Sequence, residues 1–291
     1  IDISPTIAEI MGWKFPGSID GVSLRPILDG EKLKSLDSYS ESFANAIDFG
    51  WSPLACIQDQ QYKYIQAPKS EFYDLKTDTG ENHNIAGSQQ ALKYKTEVQT
   101  LLNRTPLNAA YKPSPEDTER LRSLGYVAGA PEKINWDRPD PKDKLQVARK
   151  IAELSMQPMT LNERAKAYAQ IVQLDPSNPL LLMRFGEVLL QLKDYADAEQ
   201  AFQNAIQLGY PSAAPYNGLA AAYYYEERTA DAEATLQKAV DAGLADGETY
   251  FNLAEFLYNR GQKQQAFKYY DNSITLGYKL AAERKAQLSK N

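Results

Sequence analysis

A fixed step of 34 residues runs through the second half of this 291-residue chain and limits its fold more than any other feature. Ala198, Ala232 and Ala266 stand one step apart, as do Gly209, Gly243 and Gly277. Tyr216 and Tyr250, Leu219 and Leu253, Asp197 and Asp231, and Glu199 and Glu233 keep the same interval. Such a period, with small and aromatic residues at set offsets, is what stacked helix–turn–helix units require. No unit can bury its apolar face alone, so the array is stable only as a stack. Setting Ala198 at position 20 gives units 145–178, 179–212, 213–246 and 247–280, with residues 281–291 as a capping helix. Small residues at positions 8 and 20 let paired helices approach, and large ones at 4, 7, 11 and 24 fill the gaps. The first unit is the most degenerate, keeping Tyr168, Ile171 and Leu174-Asp175-Pro176.

These offsets resemble the tetratricopeptide repeat family, an all-α superhelix used as a binding scaffold. The resemblance implies a concave groove built from the first helix of each unit. The side chains it would place there include Met183, Glu187, Asn217, Tyr224, Tyr225, Phe251, Glu255 and Tyr258. Tyr224, Tyr225, Phe251 and Tyr258 would form an aromatic stripe, and rings are favoured anchors in interfaces. The competing reading packs these rings on neighbouring helices or on the first half of the chain. The groove lacks a Lys/Arg cluster able to clamp a terminal carboxylate. It therefore suits an extended, partly apolar peptide, or docking within the same protein.

The first half has a different texture. Ser4-Pro5 reads as N-cap and first residue of a helix through Met11 that stops at Gly12. Leu24, Ile27 and Leu28 give a short apolar helical face. Four extended segments follow at Tyr39–Phe43, Leu54–Asp59, Tyr62–Gln66 and Glu71–Leu75, with a hairpin turn at Asp59-Gln60-Gln61. Tyr62 and Tyr64 should share one face of the third, Lys63 and Ile65 the other. Residues 88–104 read as an amphipathic helix with Leu92, Val98, Leu101 and Leu102 on one face. This part is therefore α+β, a small antiparallel sheet with helices.

Several short motifs follow one another here in a known order. They are Asp2-Ile3-Ser4-Pro5-Thr6, Asp20-Gly21-Val22-Ser23-Leu24, Gly50-Trp51-Ser52-Pro53-Leu54, Tyr62-Lys63-Tyr64-Ile65, Ala67-Pro68, Glu71-Phe72-Tyr73-Asp74-Leu75 and Glu81-Asn82-His83-Asn84-Ile85-Ala86. Over about residues 1–127 the chain resembles the C-terminal subdomain of the sulfatases, in the alkaline-phosphatase-like superfamily. Glu119–Val127 is similar to the tail of bacterial members that continue into repeats. The resemblance implies a parent that hydrolyses sulfate esters. Such a parent would use a formylglycine, made from a Cys/Ser-x-Pro-x-Arg motif, and a divalent cation, usually calcium, held by Asp/Asn ligands. Those motifs lie upstream of the matched region in the family. Cys56, in Ala55-Cys56-Ile57-Gln58-Asp59-Gln60, has neither the Pro nor the Arg and reads as a small strand residue. The chain alone is therefore expected to carry no catalytic or metal residue. Trp51, Tyr62 and Lys63 would flank a substrate mouth, with Lys63 the best placed for an anion, or would be strand packing.

The remaining features narrow the function further. His83 lies between Asn82 and Asn84 without a partner cluster and reads as a solvated loop residue; Asp78 and Glu81 around Gly80 read as a turn. A net charge of −6 and a pI near 5.1 argue against nucleic acid, which wants a basic footprint. No apolar run approaches a membrane span. Residues 128–144 contain three prolines and a glycine and read as a linker, with Trp136 pinning it to one domain. The chain opens at Ile1-Asp2-Ile3 without a methionine and is expected to be a fragment, leaving the compartment, periplasmic or cytoplasmic, open. Two functional readings stand. One is the C-terminal piece of a sulfatase-like hydrolase whose repeats bind a protein or peptide, or dock the parent's own catalytic domain. The other is a non-enzymatic repeat scaffold with a degenerate N-terminal module.

Overall fold

The computed structural model describes residues 1–15, 17, 19, 21–31, 37–104, 135–156 and 158–289. The expected tail motif at 119–127 and the first part of the expected linker lie outside the described residues. The chain forms two compact units. One comprises Ile1–Glu41 and Ala55–Arg104; the other comprises Ser42–Leu54 and the chain from residue 105 onward. The excursion Ser42–Leu54 is the main departure from the expectation of a single module over residues 1–127.

In the first unit, α1 (Ile3–Met11) ends on Gly12, whose φ of 70° is left-handed backbone that glycine adopts freely. Its N-cap is Asp2, not Ser4. The Asp2 carboxylate accepts the Val22 N–H at 2.9 Å and the Thr6 hydroxyl accepts the Leu24 N–H at 2.8 Å, tying the helix start to the segment before α2 (Arg25–Leu28). The sheet runs β1 (Ser38–Ser42), β2 (Leu54–Gln58), β3 (Tyr62–Gln66) and β4 (Glu71–Asp74) in that order. The β2–β3 and β3–β4 pairings are antiparallel. Asp59 makes the hairpin turn by accepting the N–H groups of Gln61 and Tyr62. Ile57, Tyr64 and Phe72 lie in register and are buried.

The helix α4 (Gln89–Arg104) covers that face, with Val98 buried as expected. Leu92, expected beside it, is 61% exposed, and Ala91 and Tyr94 are buried instead. Tyr94 sets the rotation. Its ring packs on Phe72 at 5.1 Å and on Tyr62 at 5.8 Å, and its hydroxyl donates to Asp59. Leu92 is thereby turned out to water.

In the second unit the expected intervals hold helix pairs. These are α5 (Leu145–Met156) with α6 (Leu161–Leu174), α7 (Pro179–Gln191) with α8 (Tyr195–Gln207), α9 (Ala214–Tyr225) with α10 (Thr229–Asp241), and α11 (Gly247–Asn259) with α12 (Lys263–Thr275). A last helix, α13 (Lys279–Leu288), covers the end. The periodic alanines Ala198, Ala232 and Ala266 are fully buried. The periodic glycines close the second helices in left-handed backbone, with φ of 75°, 70° and 82° at Gly209, Gly243 and Gly277. Phe202, fully buried, packs between Gly186 and Gly218 of consecutive hairpins, in a core cluster that also holds Leu189, Leu219, Leu236 and Leu253. The capping helix buries Ala281 and Leu288 on Ala254, Leu257, Ala266 and Tyr270. Periodic Glu199 and Glu233 have a matching role. Each accepts a guanidinium, from Arg228 and Arg260 respectively, at 2.7 Å.

A helix absent from the sequence reading, α3 (Ala44–Phe49), lies in the Ser42–Leu54 excursion and ends on Gly50 with φ 69°. Residues 135–144 are likewise folded rather than a free tether. Pro141–Lys144 form one 3-10 turn, capped by the Asp140 carboxylate, and Pro139 accepts the Ser52 N–H at 2.9 Å.

Candidate functional site

Of the three residues read as a substrate mouth, Trp51 belongs to the second unit and Tyr62 and Lys63 to the first. Trp51 folds with the repeat unit and is 1% exposed, in a core with Val147, Ile171 and Leu181. A ring so enclosed does not stand at an open mouth. Its physical role is burial plus one bond, from the indole Nε1–H to Asp175 Oδ2 at 3.1 Å. Tyr62 is half-buried and stacks on Phe72 at 5.1 Å. Lys63, on the opposite sheet face, gives its ammonium to both oxygens of Glu81 at 2.9 and 2.8 Å, so its charge is matched within the fold.

Nearby, Asp78 accepts the N–H groups of Asn82 and His83, which holds its carboxyl below the usual range. The His83 side chain is 84% exposed. Cys56 is half-buried; burial pushes its thiol up, with the Lys63 ammonium opposing. Among the described residues, no group of three or more His, Cys, Asp or Glu side chains is placed to hold a metal ion.

The eight expected groove residues divide sharply. Met183 is buried in a cluster with Leu180, Leu182 and Ala205, against which Val172, Tyr210 and Ala214 pack. Asn217 is buried too. Its amide donates to Asp246 at 3.2 Å and accepts from Thr249 at 3.0 Å, which fastens one repeat to the capping box that starts α11. Phe251 packs on Tyr270 and Tyr278, and Tyr258 packs on Phe267. Glu255 accepts Arg284 at 2.8 and 3.0 Å and the Tyr270 hydroxyl at 2.5 Å. Burial raises that carboxyl, but those donors outweigh it and hold it below the usual range. These five are spent on internal structure.

Three of the eight remain open. Glu187 keeps an exposed surface, yet the protein atoms crowded round it lift its carboxyl, with the Arg184 guanidinium opposing. Tyr224 and Tyr225 are 57% and 59% exposed. Their neighbours are not Phe251 and Tyr258. Tyr225 stacks on Tyr195 at 5.2 Å, and Tyr224 meets Tyr225 at 5.8 Å and Phe256 at 6.0 Å. The expected single stripe is thus two groups. One lies under the capping helix; the other is a four-ring row at the tips of successive hairpins, since Tyr195 opens α8, Tyr224 and Tyr225 close α9, and Phe256 lies in the last turns of α11. Tyr195 and Phe256 were not singled out from sequence because they fall outside the positions that face a groove.

The most complete polar arrangement surrounds Trp51. Asp175 is 1% exposed and accepts three donors: Trp51 Nε1, Lys144 Nζ at 2.6 Å and Asn178 Nδ2 at 3.0 Å. Burial raises its carboxyl, and the three donors more than reverse this, leaving it below the usual range. Asn178 donates its other amide hydrogen to the Phe49 carbonyl at 2.8 Å while its Oδ1 caps α7 through the N–H groups of Leu180 and Leu181. Asn178-Pro179 is a legible helix start; that it also grips residue 49 has no sequence signal.

Comparison with known proteins follows these two textures. Residues 1–107 match the family described as N-sulphoglucosamine sulphohydrolase, C-terminal. Residues 163–216 and 217–277 match the tetratricopeptide repeat. A Delta 4,5-hexuronate-2-O-sulfatase of Bacteroides thetaiotaomicron is 31% identical over 107 residues, covering 35% of this chain and 22% of that protein. An N-acetylglucosamine-6-O-sulfatase of the same organism is 28% identical over 113 residues, covering 36% and 20%. The matched stretch thus spans about a fifth of these curated relatives. Among solved structures, a thermophilic repeat protein of Thermus thermophilus is 14% identical, with a TM-score of 0.41 over 60% of this chain and 98% of that one. No helix among the described residues is long and apolar enough to cross a membrane. The chain joins a sulfatase C-terminal segment, over residues 1–107, to tetratricopeptide repeats.

Proposed function

We propose that this chain is the C-terminal part of a sulfatase-like hydrolase, non-catalytic by itself, whose repeats serve as an interaction or positioning domain. The observation that carries the reading is the surface of α1. Ile3, Ile7, Ile10 and Met11, at the spacing of one helical stripe, are 73%, 49%, 54% and 55% exposed, and Trp13 just beyond is 64% exposed. Burying such side chains is worth about 1.5–3 kcal/mol each, so a contiguous stripe of them marks a face made to be covered. It lies inside the residues matched to the sulfatase C-terminal family. The bulk of a hydrolase is an occupant of suitable size and chemistry.

The residues present do not fit the formylglycine or the calcium of the family. Cys56 lacks the flanking Pro and Arg, and the described acidic side chains are engaged in turns and ion pairs or are scattered. The parent's remaining sequence would hold both groups, and no catalytic step is assigned to this chain. The test is sulfate release from sulfated monosaccharides, measured for the whole parent and for this chain. Turnover by the parent alone is expected. Steady turnover by this chain, or none by the folded parent, would refute the reading.

A further inference from the structure

We propose that the first repeat hairpin is a peptide receptor, and that its ligand is the chain's own Phe49–Ser52. This goes beyond the hydrolase reading and does not depend on it.

The contacts have the form of peptide recognition rather than generic packing. One ring is the anchor: Trp51 fills a pocket of Val147, Ile171 and Leu181, flanked by Ile151 and Val172. Its one polar atom finds a buried acceptor in Asp175, which selects an indole over an all-carbon ring of similar size. The backbone on both sides is read as well. Asn178 donates to the Phe49 carbonyl, and the Pro139 carbonyl accepts the Ser52 N–H. The Ser52 hydroxyl donates to the Trp136 carbonyl at 3.3 Å. Main-chain bonds give a peptide its affinity and a pocketed side chain its specificity. Gly50, at φ 69°, makes the turn that presents the ring; a side chain there would be strained.

The receptor residues have partners besides the ligand. Asp175 is held by Lys144 and Asn178 as well as by Trp51, and Asn178 is fixed by its cap of α7. The motif recognised is an aromatic residue, glycine, tryptophan and serine in extended or turned backbone. The open positions of the expected groove supply no comparable set of bonds.

The test uses the full chain and hydrogen–deuterium exchange, which reads local opening helix by helix. In Trp51→Ala, amides of α5–α7 should exchange at least about tenfold faster, while those of α12 and α13 stay unchanged. Excess synthetic peptide spanning Ser42–Leu54 should restore protection; the same peptide with alanine for the tryptophan should not. Unchanged exchange in α5–α7, or equal rescue by both peptides, would overturn the proposal. Should Trp51→Ala fail to fold, Asn178→Ala keeps the ring and removes the bond to Phe49. It should loosen the same three helices, and the peptide, deprived of the same bond, should not restore protection; rescue by the peptide, or a loss of protection spread evenly over all repeats, would refute the receptor.

Discussion

Gly218→Ala should destabilise the repeat unit, although the same change in an exposed helix interior stabilises by about 1 kcal/mol. The reason is Phe202, which is fully buried between Gly186 of α7 and Gly218 of α9. A Cβ on Gly218 would stand 2.7 Å from Phe202 Cε1 and 2.8 Å from Cε2, far inside contact distance. The ring has little room to retreat, because the same end of it is also pressed against Gly186, where a Cβ would lie 2.7–2.9 Å from Cε1, Cδ1 and Cζ. Overpacking of this kind costs typically 1–3 kcal/mol, so after the propensity gain a net loss of up to about 2 kcal/mol is expected. Chemical denaturation followed by far-ultraviolet circular dichroism reads it as a lowered midpoint. Phe202→Leu in the Gly218→Ala background should recover part of the loss, because the smaller side chain vacates the clash. If Gly218→Ala is as stable as the parent or more so, the close approach of consecutive hairpins through Phe202 is wrong.

Other outcomes follow from the same coordinates. The Asp175 carboxyl is held below its unfolded value, so its contribution is present above about pH 4 and is lost as pH falls through the lower folded value. Stability should therefore drop in that acid window, and Asp175→Asn should flatten this limb of the pH–stability curve while lowering stability at neutral pH. Arg284→Ala removes the two guanidinium bonds to Glu255, leaving that of Tyr270, and should cost about 1 kcal/mol, with faster amide exchange confined to α13 and the end of α12. Tyr224→Ala should change the unfolding free energy by about 0.5 kcal/mol or less, because the ring is mostly in water, whereas Tyr270→Ala, fully buried, should cost about 3–5 kcal/mol.

What was legible in the sequence is what local rules control. The step of 34 residues fixed the helix pairs because Ala198, Ala232 and Ala266 each need a helix passing within contact distance, and Gly209, Gly243 and Gly277 each need left-handed backbone. Alternation placed β3, with Tyr62 and Tyr64 on the face that meets α4. Rotation about a helix was harder to read. Leu92 looked apolar enough to be inside, yet Tyr94 won the position because its ring and hydroxyl found partners together.

The groove failed for a related reason. Position in a repeat says which way a side chain leaves the helix but not what the next element places over it. Met183 lies in a cluster that Tyr210 packs against, and Asn217 is bonded to the Asp246–Thr249 cap. Trp51 was the least legible. Its hydrogen-bond partner Asp175 is 124 residues away, held in turn by Lys144 and Asn178, and a pairing at that distance leaves no period or motif in a single chain.

The environment of Trp51 tests most directly whether Ser42–Leu54 folds with the repeats. With Trp13→Phe and Trp136→Phe, the remaining indole emission reports that ring alone. A blue-shifted emission, barely quenched by acrylamide until the repeats unfold, is the expected result. Emission at the wavelength of a hydrated indole, quenched as readily as free tryptophan in the folded protein, would contradict it.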